Sequence, residues 1–239
     1  MTSIVALILH IETATTVCSV ALSENGKLLS LKEENKGQRH AENITLFIMH
    51  VLKEAKKKLA YLDAVAVSSG PGSYTGLRIG ASTAKGLCYA LEILLIAVST
   101  LHSLSLSAKN KISNLKSLPF ERDSNPYYCP MIDARRMEVF CAVYDEQLNN
   151  IEPSAPKIID DNSFADLLKS HKIYFFGDGA EKCQNILSNQ RNAVFIDDIV
   201  PTAASMISIA EEKFQKKELE DVGLFEPFYS KEFVDGKKN

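Results

Sequence analysis

A chain of 239 residues, 46% hydrophobic and 24% charged, has the composition of a globular protein with one large core or two smaller ones, and is neither fibrous nor disordered. Its formal net charge of -3 argues against an affinity built mainly on nucleic-acid phosphates, and no apolar run reaches the ~20 residues of a membrane helix. The cysteines at 18, 88, 129, 141 and 183 include no C-x-x-C pair and read as buried thiols of a reducing compartment; with no basic segment ahead of the apolar N-terminus, the cytoplasm is the expected location.

Residues 4–11 are almost continuously apolar and read as a buried central strand. A polar turn, Glu12-Thr13-Ala14-Thr15-Thr16, leads to a second strand over 17–23. Asn25-Gly26 is a hairpin signal, and a third strand begins at 28, so the opening is an antiparallel meander. Residues 38–58 form a helix with Ala41, Ile44, Ile48, Val51 and Ala55 on one face. Leu46, Phe47, Met49 and Leu52 widen that face until the helix needs cover on two sides. The C-terminal half of the chain or a partner subunit would serve as the second cover.

Next comes a strand at 64–67, a glycine-rich turn running to Gly80, and a helix over 76–91. Gly76, Gly80, Ala84 and Cys88 recur every four residues, a stripe of small side chains that admits a close backbone. Glycine inside a helix costs about 1 kcal/mol against alanine, so Gly80 and Gly86 point to a packing constraint. The close partner is either this chain's own sheet or another protein. A strand over 93–98 and a short helix over 101–108, capped by Ser99, complete the first half.

Residues 109–126 are polar, with two prolines, and mark the expected linker between half-domains at 1–108 and 127–239. Strands at 127–132 and 137–144 flank the turn Asp133-Ala134-Arg135-Arg136. In both halves an apolar strand ends in an acid, turns and returns, a weak internal repeat. A helix from 162 to 169, a strand at 172–176, the turn Gly177-Asp178-Gly179-Ala180 with a helix to 188, a short strand at 194–196 and a helix over 203–216 follow. The aromatic tail 225–229 is expected to pack back on the body, and 236–239 to fray.

Candidate chemistry is sparse. The histidines show neither H-E-x-x-H nor H-x-x-x-H, so no metal site is expected. Gly72-Ser73-Tyr74-Thr75-Gly76 departs from the G-x-S-x-G elbow of serine hydrolases. The strand-acid-turn-strand repeat with a late Gly-Asp-Gly-Ala is the layout of actin, hexokinase and chaperone ATPases. Glu12, Thr13, Thr15, Asp133, Gly177 and Gly179 are the corresponding nucleotide-type positions, in degenerate form. The first turn lacks glycine, and the second carries two bulky cations. No cofactor is expected, and any nucleotide affinity should be weak.

Ile11-Glu12-Thr13-Ala14-Thr15, the stretch Ser-Gly-Pro-Gly-Ser-Tyr-Thr-Gly-Leu-Arg-Ile-Gly ending at Gly80, Val98-Ser99-Thr100-Leu101, Ile132-Asp133-Ala134-Arg135 and Glu226-Pro227-Phe228-Tyr229 together resemble the TsaB (YeaZ) family, in order over nearly the whole chain. The resemblance implies an α/β fold of two actin-like (ribonuclease H-like) half-domains, each a mixed sheet flanked by helices. It implies a non-catalytic scaffold in tRNA threonylcarbamoyladenosine synthesis. The partners would be a TsaD-like transferase and a TsaE-like ATPase, with tRNA met only through the complex and a homodimer formed in isolation. The pairing surface is implied to be the first two helices. There Gly76, Gly80 and Ala84 are expected to face the partner, with Ile44, Ile48 and Val51 helping to bury the contact. The alternatives are a free-standing kinase or ATPase of the same fold, which needs intact phosphate turns, and a metallopeptidase-like protein, which needs metal ligands.

Overall fold

A computed structural model describes residues 5–35, 39–114 and 125–229. Strands β1 (Leu7–Glu12), β2 (Cys18–Glu24), β3 (Lys27–Glu34), β4 (Ala64–Ser68) and β5 (Leu94–Val98) make one five-stranded sheet in the order β3-β2-β1-β4-β5. Strands β6 (Tyr127–Asp133), β7 (Glu138–Tyr144), β8 (Asn150–Ile158), β9 (Ile173–Phe176) and β10 (Ala193–Ile196) make a second, in the order β10-β9-β6-β7-β8. The two orders are one topology. In each, three antiparallel strands carry two parallel ones beside the first. The weak sequence repeat is therefore a repeat of fold, and both sheets are mixed.

Helices α1 (His40–Glu54) and α2 (Tyr74–Leu91) cover one face of the first sheet, where Leu9, Ile11, Val20, Leu22, Val65 and Val67 pack on Ile44, Ile48, Val51, Ala81 and Ala84. Helices α4 (Ala165–Ser170) and α5 (Ala180–Leu187) cover the corresponding face of the second sheet. The remaining two faces are covered crosswise. Helix α3 (Thr100–Asn114) follows β5 yet lays Leu101, Leu104 and Ala108 on Tyr128, Ile132, Phe140 and Phe176 of the second sheet. A 3-10 turn (Ala203–Met206) and helix α6 (Ile207–Lys216) follow β10 yet lay Met206 and Ala210 on Ile8, Ala66, Ile96 and Val98 of the first. This exchange ties the halves together through buried apolar surface, since each sheet would otherwise expose one face.

Helix α3 runs six residues past its expected end, because Lys109 and Lys111 donate to carbonyls of Glu146 and Asp197 and so dock its polar last turns. The first six positions of the expected linker are thus helical, and 115–124 lie outside the described residues. Strand β8 carries no expected element. Its Pro153 and Pro156 and mostly exposed or half-buried side chains disguise an edge strand, where a missing N–H is tolerated. Asn25 (φ 51) and Gly26 (φ 69) make the expected tight turn between β2 and β3. All five cysteines are buried and free. Among the described residues no helix is long and apolar enough to cross a membrane.

Candidate functional site

Each half places a turn at the C-terminal end of its central strand, the place where open α/β sheets receive ligands. In the first half Glu12 ends β1 with no exposed surface. Its Oε1 accepts the Ala14 N–H at 2.7 Å, and Oε2 has no partner among the described residues. Thr13 N–H donates to Ser68 Oγ at the end of β4, and Val17 N–H to Thr15 Oγ1. A ring nitrogen of His40 bonds Thr15 O at 2.9 Å. The glycine stretch closes the turn from above: Ser73 N–H donates to Ala14 O at 2.6 Å, and Thr13 Oγ1 donates to Gly76 O at 2.8 Å. Three N–H groups that could face a phosphate are thus spent on the chain's own oxygens. Burial pushes the Glu12 carboxyl up to about 7, opposed by the Ala14 hydrogen bond and by the polar groups of Ser68 and Thr13 nearby.

The second half repeats this brace. Asp133 Oδ1 accepts the N–H of Arg135, two residues on, as Glu12 does from Ala14. Asp133 N–H donates to Asp178 Oδ1 at 3.0 Å, as Thr13 N–H donates to Ser68. Lys182 pairs with the Asp133 carboxylate and donates to Glu138 O. Burial raises the Asp178 carboxyl, with the Asp133 N–H opposing and the Asp133 charge adding to the rise. Gly177 takes φ 101, where a side chain is strained. Gly179 donates its N–H to Met131 O, and a Cβ there would lie 2.9 Å from the Ile132 carbonyl carbon. These glycines let α5 press onto β6. The structure therefore brings Glu12, Thr13 and Thr15 together in one turn, and Asp133, Gly177 and Gly179 in the other, each engaged with its own chain.

The expected partner residues require a correction. A Cβ at Gly76 would overlap Thr13 O, and one at Gly80 would overlap Thr13 Oγ1 and lie 3.5 Å from Val67 Cγ2. Ala84 is fully buried. The stripe faces the chain's own sheet, because α2 crosses β1 and β4 too closely for side chains. Ile44, Ile48 and Val51 are likewise buried in that core and present no face to a second protein.

The outward surface of the two helices is instead Leu46, Met49 and Tyr89, which are 61%, 64% and 83% exposed. Beside them Ser82, Gly86 and Ala90 repeat the four-residue spacing on the solvent side of α2, and a Cβ at Gly86 would meet nothing within 4 Å. That second small-residue stripe was readable as i, i+4, i+8, but sequence alone does not say which stripe is buried.

The tail 220–229 straps the open edge of β5. Glu220 N–H donates to Leu95 O, the Lys85 ammonium donates to Gly223 O and Phe225 O, and Phe228 N–H donates to Ser69 O at 2.7 Å. Tyr229 ends 4.8 Å from the Tyr74 ring at the start of α2. Among the described residues no three His, Cys, Asp or Glu side chains converge as metal ligands.

The profile of the family described as "TsaD: tRNA N6-adenosine threonylcarbamoyltransferase" matches residues 33–231. The chain is 30% identical to the tRNA threonylcarbamoyladenosine biosynthesis protein TsaB of Escherichia coli strain K12, over 97% of both chains. It is 31% identical to the protein of that name from the Acyrthosiphon pisum strain of Buchnera aphidicola, over 82% of this chain and 87% of that one. The solved structure "YeaZ from Pseudomonas aeruginosa" superposes with a TM-score of 0.78 at 25% identity, over 94% of this chain and 99% of that one. With its fold matched by that structure and its sequence matched to the curated proteins over most of their length, the chain belongs to the TsaB (YeaZ) family, within the wider family of the TsaD profile.

Proposed function

We propose that this chain is a non-catalytic subunit of the cytoplasmic machinery that makes N6-threonylcarbamoyladenosine on tRNA. It pairs with a TsaD-like transferase, a TsaE-like ATPase joins the pair, and tRNA meets the chain only in that assembly. No cofactor is assigned to it. The observation that carries the non-catalytic role is the state of the first turn, whose N–H donors are taken by Glu12, Ser68 and Thr15 and whose opening is covered by Ser73 and Gly76. The names of the curated relatives support the pathway. Depleting the protein from its native cell should remove N6-threonylcarbamoyladenosine from digested tRNA, as read by nucleoside mass spectrometry. Unchanged nucleoside content would sink the reading.

The pairing face is the exposed side of α1 and α2. Leu46, Met49 and Tyr89 supply apolar area, and Gly86 allows a partner helix to come close, which accounts for a helix glycine that nothing in its own chain requires. In isolation the same face makes a homodimer. Leu46→Glu with Met49→Glu should leave the melting temperature nearly unchanged, since both side chains are exposed. The pair should nevertheless abolish self-association and transferase capture, because burying two unpaired carboxylates costs several kcal/mol. Gel filtration with and without the transferase reads both. Retained capture would move the docking face elsewhere.

A further inference from the structure

The two braced turns differ in one respect. The first is sealed by the glycine stretch and the 18 residues of α2, and Thr13, Ala14 and Thr15 are buried. Its counterpart in the second half, α5, has 8 residues, and Asp133, Arg135 and Arg136 are exposed. Arg135 and Arg136 take φ 72 and 50, the left-handed region, where side chains are disfavoured. The chain meets the same backbone demand between β2 and β3 with Asn25 and Gly26, at φ 51 and 69, the residue pair such turns prefer. Two long cations at 135–136 thus work against the turn they occupy. Strain kept at an exposed position marks a site where the side chains matter more than the backbone.

The acids around the turn do not neutralise these arginines. Asp133 is spent on Lys182 and the Arg135 N–H, and Asp178 on the Asp133 N–H. Neither guanidinium belongs to an ion pair among the described residues. Lys182, held between the Asp133 carboxylate and Glu138 O, takes up the Asp133 charge and braces the base of the turn. The result is a solvent-open pair of adjacent, unpaired guanidiniums on a chain of net charge -3, a chemistry suited to bidentate contact with phosphate oxygens.

We propose that the Arg135–Arg136 turn grips backbone phosphates of tRNA in the assembled complex, a proposal that rests on the function given above. The contact positions the tRNA without reading its sequence.

Two variants test it in the complex of the full chain with a TsaD-like transferase and an unmodified tRNA transcript. Arg135→Glu with Arg136→Glu reverses the charge. Arg135→Asn with Arg136→Gly removes the charge and installs the residues that the turn prefers. Both should pair with the transferase as the wild type does. Both should bind tRNA about tenfold or more weakly at near-physiological salt, with the slope of log affinity against log salt shallower by about 2. The Asn-Gly variant should melt higher than the wild type, which separates lost binding from lost folding. Wild-type tRNA affinity and salt slope in both variants would overturn the proposal. So would lost Mg-ATP affinity with tRNA binding retained, since the cations would then serve a free nucleotide. A wild-type complex that binds no tRNA would overturn the functional reading and this proposal with it.

Discussion

Gly80→Arg is expected to destroy the fold rather than release a stable monomer. Position 80 lies where α2 crosses β1, and even a Cβ there overlaps Thr13 Oγ1, which is itself held by the Gly76 carbonyl. The rest of an arginine side chain would have to enter a core that contains Val67, Ala81 and Ala84. Overpacking of this kind costs about 1–3 kcal/mol, and an unpaired buried cation adds several more. Against the 5–15 kcal/mol that holds a typical domain together, that sum removes most or all of the stability. The expected result is insoluble protein, or soluble protein without a cooperative melt by circular dichroism. Gly80→Ala should show the same strain in milder form, and Thr13→Ala should partly relieve it in the double variant, because it removes the overlapping oxygen. A folded, monomeric Gly80→Arg protein that fails to capture the transferase would return Gly80 to the partner interface.

Glu12→Gln should change stability with the opposite sign, and only above mildly acidic pH. In the unfolded chain a glutamate ionises near its ordinary 4.5, whereas burial holds the Glu12 carboxyl at about 7 in the folded protein. Below 4.5 the group is protonated in both states and exerts no net effect. As pH rises from 4.5 to 7 the unfolded chain releases its proton and the folded chain keeps it, so stability is lost across that window. Above 7 the loss levels off at about 3 kcal/mol, taken at about 1.4 kcal/mol per pH unit. Glutamine keeps an oxygen for the Ala14 N–H and cannot ionise. The variant should therefore match the wild type within about 1 kcal/mol at pH 4.5 and exceed it by about 3 kcal/mol at pH 8. Urea unfolding of both proteins at the two pH values gives the difference free of other titrating groups. An equal difference at both would mean that Glu12 is ionised in the folded protein.

The fold was legible where periodicity and turn chemistry agreed. The apolar run into Glu12, the Asn25–Gly26 turn, the Ile44–Ile48–Val51 face of α1 and the small-residue face of α2 form as their residues demand, while Ala41 of the expected α1 face is exposed. Strand β8 was not legible, because prolines and half-exposed side chains are what an edge strand and a loop have in common. The crossed helices were hidden for a related reason. Leu101, Leu104 and Ala108 declare an apolar face but not the sheet that it covers.

The candidate site divides in the same way. A repeat of Gly76, Gly80 and Ala84 states that a backbone comes close, and the structure supplies the owner, Thr13 of the same chain. Ser68 and Lys182 brace turns that lie 55 and 49 residues away in sequence, so no local pattern could name them. The arginines of the second turn were visible as an anomaly. Their exposure and left-handed backbone appear only in three dimensions.

The central claim is that this chain assists threonylcarbamoyl transfer without performing it. The direct measurement is reconstitution of the modification with a threonylcarbamoyl donor, a TsaD-like transferase, a TsaE-like ATPase with ATP, and unmodified tRNA, leaving out one protein at a time. The account predicts that this chain forms no N6-threonylcarbamoyladenosine in place of the transferase, and that its omission reduces the full mixture to background. Modified tRNA made without the transferase, or a full yield made without this chain, would contradict it.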